Sequence, residues 1–85
     1  MTLDTKSYVL IVDDDKDIRE MLGIFLKNEG IPFLKCENGL VALDYLEKYK
    51  INLVLLDIMM PEIDCLEVCI KIRQVSTVPI IFMSA

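Results

Sequence analysis

The chain has 85 residues, 54% of them hydrophobic, a mean hydropathy of +0.47 and a formal net charge of −5. That length holds one domain at most. An acidic balance without a basic patch argues against direct nucleic-acid binding, and the apolar runs fall well short of the roughly 18 residues of a membrane span.

The composition is very apolar for a chain that buries only about 60–65% of its unfolded surface. It predicts either a shortened piece of a larger domain or burial in an oligomer, and the first is favoured. Met1-Thr2-Leu3-Asp4 lacks the basic start and apolar stretch of a signal peptide, so a cytoplasmic location is expected. There the three thiols, Cys36, Cys65 and Cys69, would stay reduced. Cys65 and Cys69 share a helix face at i, i+4, but no His or further Cys completes a metal set. They are read as packing thiols.

In chain order, Tyr8 to Val12 predicts a first strand, and Asp14 or Asp15 can cap the helix that follows. Ile18, Met21, Leu22, Phe25 and Leu26 recur as one helical stripe and are expected in the core. Gly30 suits the left-handed position after the helix. Ile31 to Cys36 predicts a second strand, with Pro32 at its start or at a sheet edge, and Asn38-Gly39 a turn. Leu40, Leu43, Tyr45, Leu46 and Tyr49 mark a second helix. Leu53 to Leu56 is a third strand ending on Asp57. Asp64 can cap a third helix running through Val75, and Val78 to Met83 is a fourth strand.

This β-α-β-α-β-α-β alternation predicts a parallel sheet with right-handed crossovers and helices on both faces. The fourth strand would then have an uncovered edge, which invites pairing with a second copy of the chain.

Two strands stop on carboxylates: Val9-Leu10-Ile11-Val12 on Asp13-Asp14-Asp15, and Leu53-Val54-Leu55-Leu56 on Asp57. Ligands of open parallel sheets bind outside the carboxyl ends of the strands. If the first and third strands are neighbours, Asp13, Asp14 and Asp57 converge, and two carboxylates at 4 Å repel by about 4 kcal/mol at an effective dielectric near 20. A divalent cation relieves that repulsion. Magnesium suits a few carboxylates with waters and phosphate oxygens, and the backbone carbonyl of Met59 could add a ligand. Asp57, alone at a strand tip, is the candidate nucleophile toward a phosphoryl group. Asp13 and Asp14 read as metal holders, and Ser84 could contact a phosphoryl oxygen. No lysine has an obvious place at this site. A calcium loop starting at Asp13 fails, because Ile18 and Ile24 stand where Gly and Glu are required.

Val12-Asp13-Asp14-Asp15, Leu55 to Pro61 (Leu-Leu-Asp-Ile-Met-Met-Pro) and Val78 to Ala85 (Val-Pro-Ile-Ile-Phe-Met-Ser-Ala), in that order and spacing, resemble the receiver domain of two-component response regulators. The resemblance spans essentially the whole chain. It implies a flavodoxin-like, doubly wound parallel sheet shortened to four strands and three helices, with residues 1–85 an incomplete receiver domain. It further implies that Asp57 accepts a phosphoryl group from a sensor histidine kinase. Asp13 and Asp14 would hold Mg2+ with the Met59 carbonyl, Ser84 would turn toward the phosphoryl oxygen, and Ala85 would leave room for it. The family's fourth helix, lysine-bearing fifth strand and fifth helix have no counterpart in these residues. Cys65 stands where the family often has Gly, and is read as harmless in a first helical turn. Two other readings compete: an interaction-only fragment that self-associates, and a haloacid-dehalogenase-type phosphatase using Asp13, whose motif Lys16 and Asp17 do not continue.

Overall fold

Short β-branched and leucine-rich runs alternate with capped amphipathic segments, and the chain folds accordingly. The computed structural model describes residues 6–58 and 65–83. Its elements are β1 (Tyr8–Val12), α1 (Lys16–Asn28), β2 (Phe33–Cys36), α2 (Gly39–Lys48), β3 (Ile51–Asp57), α3 (Cys65–Val75) and β4 (Ile80–Met83). All strand pairs are parallel and the sheet order is β2-β1-β3-β4. β1 and β3 are therefore neighbours, as the doubly wound topology requires.

The helix ends follow from local chemistry. Asp15 caps α1, its carboxylate accepting from the N–H groups of Asp17 at 2.8 Å and Ile18 at 3.3 Å. Gly30, at φ +70°, takes the left-handed position beyond the C-terminus of α1. Asn38 is a cap rather than a turn residue: its side chain accepts from the Val41 N–H at 3.0 Å. Pro32 precedes β2, an edge strand, so its missing N–H costs the ladder nothing. The expected Asp64 cap falls outside the described residues.

The core has two layers. Leu10, Val12, Val54 and Leu56 bury one sheet face against Ala42 of α2 and Val68 and Ile72 of α3. Val9 and Ile11 bury the other against Leu22 and Leu26 of α1. Here the expected core stripe needs correction: Met21 is 61% and Phe25 60% exposed. Gly23 explains it. A Cβ there would lie 2.9 Å from the Phe33 ring, so α1 seats itself close on β2 through Gly23. Met21 and Phe25 are then rotated onto the helix flank away from β2. On the same sheet face, Leu53 and Leu55 are half-buried and Ile81 is exposed.

Candidate phosphoryl-transfer site

Three carboxylates meet at the carboxyl ends of β1 and β3. Val12 pairs with Leu56, so the next residues, Asp13 and Asp57, leave the sheet side by side. One oxygen each from Asp13, Asp14 and Asp57 lies within 4.8 Å of the others. Asp13 is 2% and Asp57 7% exposed, the only buried charged residues among those described, whereas Asp14 is exposed.

Each strand exit is tied down. The Asp13 N–H donates to the Cys36 carbonyl of β2 at 3.2 Å. An Asp13 carboxylate oxygen accepts from the Asp15 N–H at 2.9 Å, and the Asp13 carbonyl accepts from the Arg19 guanidinium at 2.7 Å. On the other strand, the Ile58 N–H donates to the Met83 carbonyl of β4 at 3.0 Å, fixing the peptide after Asp57.

Burial pushes the Asp13 carboxyl up to about 6. The Asp15 N–H pulls the other way, and Asp57 and Asp14 add to the rise through their charges and through the hydrogen bond that a protonated Asp13 donates to Asp57. A site that keeps a buried acid partly protonated near neutrality is short of positive charge. A hard cation among three oxygens would supply it, and this donor set and spread suit Mg2+. Metal-site residues thus fit the group that the sequence points to.

Of the sequence-derived site residues, three are placed by the structure. Asp13, Asp14 and Asp57 come together. Met59, Ser84 and Ala85 lie outside the described residues, although β4 runs beside β3 up to the Asp57–Met83 pair. Arg19 was missed. Its only sequence signal was a basic residue one turn into a helix that follows an acidic strand end. A dehalogenase-type reading would pair Asp13 as nucleophile with Asp15 as acid, but the Asp15 carboxylate is engaged in capping α1. Burial pushes the Cys36 thiol up to about 12, so it is an inert packing group.

A parallel α/β sheet with an acidic crevice where the strand order reverses is the architecture of a doubly wound, CheY-like receiver fold. Residues 9–85 match the family model of the response regulator receiver domain, and the chain belongs to that family. It is 45% identical over 80 residues to the transcriptional regulatory protein CpxR homolog of Haemophilus influenzae, covering 93% of this chain and 34% of that protein. It is 40% identical over 76 residues to the regulatory protein VanR of Enterococcus faecium, covering 89% of this chain and 33% of that protein. The chain thus spans about a third of the length of these relatives. Among solved structures, the response regulator TrrA of Thermotoga maritima in complex with Mg(2+)-BeF superposes with a TM-score of 0.83 at 40% identity, over 95% of this chain and 70% of that one. TrrA is also known in complex with the histidine kinase ThkA. Among the described residues, no helix is long and apolar enough to cross a membrane.

Proposed function

We propose that this chain is the phosphoacceptor part of a two-component switch, with Asp57 as the acceptor. The observation that carries the reading is the convergence of buried Asp57 with Asp13 and Asp14 at the ends of neighbouring parallel strands. Asp13 and Asp14 would hold Mg2+, together with Asp57 and the backbone carbonyl of Met59. When bound, the cation neutralises charge on the carboxylates and on the phosphoryl oxygens. The Asp57 carboxylate attacks the phosphorus of a kinase phosphohistidine. The P–N bond breaks, an acyl phosphate forms on Asp57, and the proton the imidazole needs comes from solvent. The chain's own contribution is positioning, self-catalysed at most, which makes it a substrate of signalling rather than an enzyme acting on others. The Mg(2+)-BeF complex and the kinase complex of TrrA support this assignment by analogy.

Ser84 and Ala85 follow β4 directly, and the reading gives them phosphoryl contact and clearance. It treats residues 1–85 as an incomplete receiver domain acting in the cytoplasm, with an output function like that of the transcriptional relatives residing elsewhere. A second reading, self-association through β4, rests on the contrast between the two sheet edges. β2 carries the exposed Lys35 and follows Pro32, whereas Ile80-Ile81-Phe82-Met83 carries no charge, and Ile81 and Phe82 are 51% and 50% exposed.

The test is intact mass after incubation with Mg2+ and a small phosphodonor. One added phosphoryl group, lost with chelator and in Asp57→Asn, is expected. A folded chain that gains none would reject the phosphoacceptor reading.

A further inference from the structure

Arg19 makes a contact that the reading above does not use. Its guanidinium donates at 2.7 Å to the main-chain oxygen of Asp13. That oxygen belongs to the peptide joining Asp13 to Asp14, so whatever holds it sets the plane from which the Asp14 side chain departs. Asp13 is held independently, by its N–H to Cys36 and its carboxylate to Asp15. Asp14 is exposed and follows directly.

Charge compensation is the obvious alternative role for a cation here, but the guanidinium donates to the main-chain oxygen of Asp13 and not to a carboxylate. Arg19 instead lies toward β2, near enough to Cys36 for its charge to favour the thiolate, although burial dominates there. It reaches the acidic site from behind, through the backbone. Its planar fork, on a half-buried side chain anchored in the second turn of α1, suits that task better than a flexible ammonium would.

We infer that Arg19 is a positioning residue for the metal site: by clamping the Asp13–Asp14 peptide from the β2 side, it presents Asp14 to the cation held with Asp13 and Asp57. The inference rests on the proposed function and deepens it. Its sign is informative. A cation that acted only by charge would repel Mg2+, and its removal would tighten binding. A clamp, when removed, weakens binding. Supporting partners of metal ligands typically carry about 10- to 100-fold in affinity.

The experiment is calorimetric titration of the whole chain with MgCl2 at pH 7.5, alongside thermal unfolding in chelator, for wild type, Arg19→Met and Arg19→Lys. Arg19→Met is expected to bind Mg2+ about 10-fold more weakly. Arg19→Lys, which keeps the charge and can still donate but lacks the planar fork, is expected to recover part of that loss. Equal or tighter binding by folded Arg19→Met overturns the inference. If Arg19→Met does not fold, Arg19→Lys decides alone, since binding equal to wild type would then overturn the clamp. A folded wild type without Mg2+ affinity would sink the functional reading, and this inference with it. A wild type that binds, beside a variant that binds equally, would sink the inference only.

Discussion

Asp13 and Asp57, distant in sequence, leave adjacent strands at the same level, and both are buried with carboxylate oxygens less than 5 Å apart, within the 4.8 Å cluster. Such a pair cannot carry two full charges without a cost of about 4 kcal/mol at an effective dielectric near 20. Burial is the main reason the Asp13 carboxyl is raised, and the neighbouring Asp57 charge adds to it.

A pH dependence follows for the metal-free chain. The Asp13 carboxyl lies at about 6 in the folded state against an ordinary 3.8. Between those values the folded state holds a proton that the unfolded state has lost. The contribution of Asp13 is therefore fully present below pH 3.8 and is lost as pH rises through about 6. Asp13→Asn should stabilise the metal-free chain by roughly 1–3 kcal/mol at pH 7.5 and change little at pH 4. Urea unfolding in chelator at the two pH values measures this, and an equal effect at both would refute it.

Mg2+ competes with that same proton. Apparent Mg2+ affinity should rise as pH passes upward through about 6 and then flatten. In Asp13→Asn the affinity should be lower and nearly flat across the interval. Titrations at several pH values check both points, and a pH-independent wild type would contradict them.

Gly39 is a packing position. A Cβ at Gly39 would stand 2.5 Å from one methyl of Val68 and 3.1 Å from the other, at the contact between α2 and α3. Gly39→Ala should destabilise by about 1–3 kcal/mol, as overpacked cores do. In the Val68→Ala background the same change should cost much less. Additive effects in this double-mutant cycle would show that the clash is not the cause.

The uncharged β4 edge predicts concentration-dependent association of this chain. Ile81→Lys places a charge on an exposed position of that strand at little cost to the core. Light scattering across a concentration series should show dimers for wild type and monomers for the variant. A wild type that stays monomeric at the highest concentration would remove the second reading.

Much of this was legible in the sequence because its signals were local. Runs such as Val9 to Val12 and Leu53 to Leu56 stand out as buried strands, and Asp15 and Gly30 bracket α1 as capping chemistry requires. The convergence of Asp13 with Asp57 needed the strand order, which the family resemblance supplied. The failures involve tertiary choices. Met21 and Phe25 fit a helical stripe, but periodicity does not say which part of a wide stripe meets the sheet. That was decided by Gly23 against Phe33. Asn38 read as a turn because caps and turns use the same side-chain chemistry. Arg19 was unreadable because its role is to reach a backbone oxygen six residues away, and no pattern of residue types encodes that contact.

The central claim is that Asp57 is the residue modified. Borohydride reduction after incubation with Mg2+ and a small phosphodonor converts an aspartyl phosphate to homoserine, which peptide mass spectrometry then locates. The account predicts homoserine at position 57 and an intact Asp13. Homoserine at position 13 would instead favour dehalogenase-type chemistry, and its absence from a folded, Mg2+-binding chain would contradict the phosphoacceptor assignment.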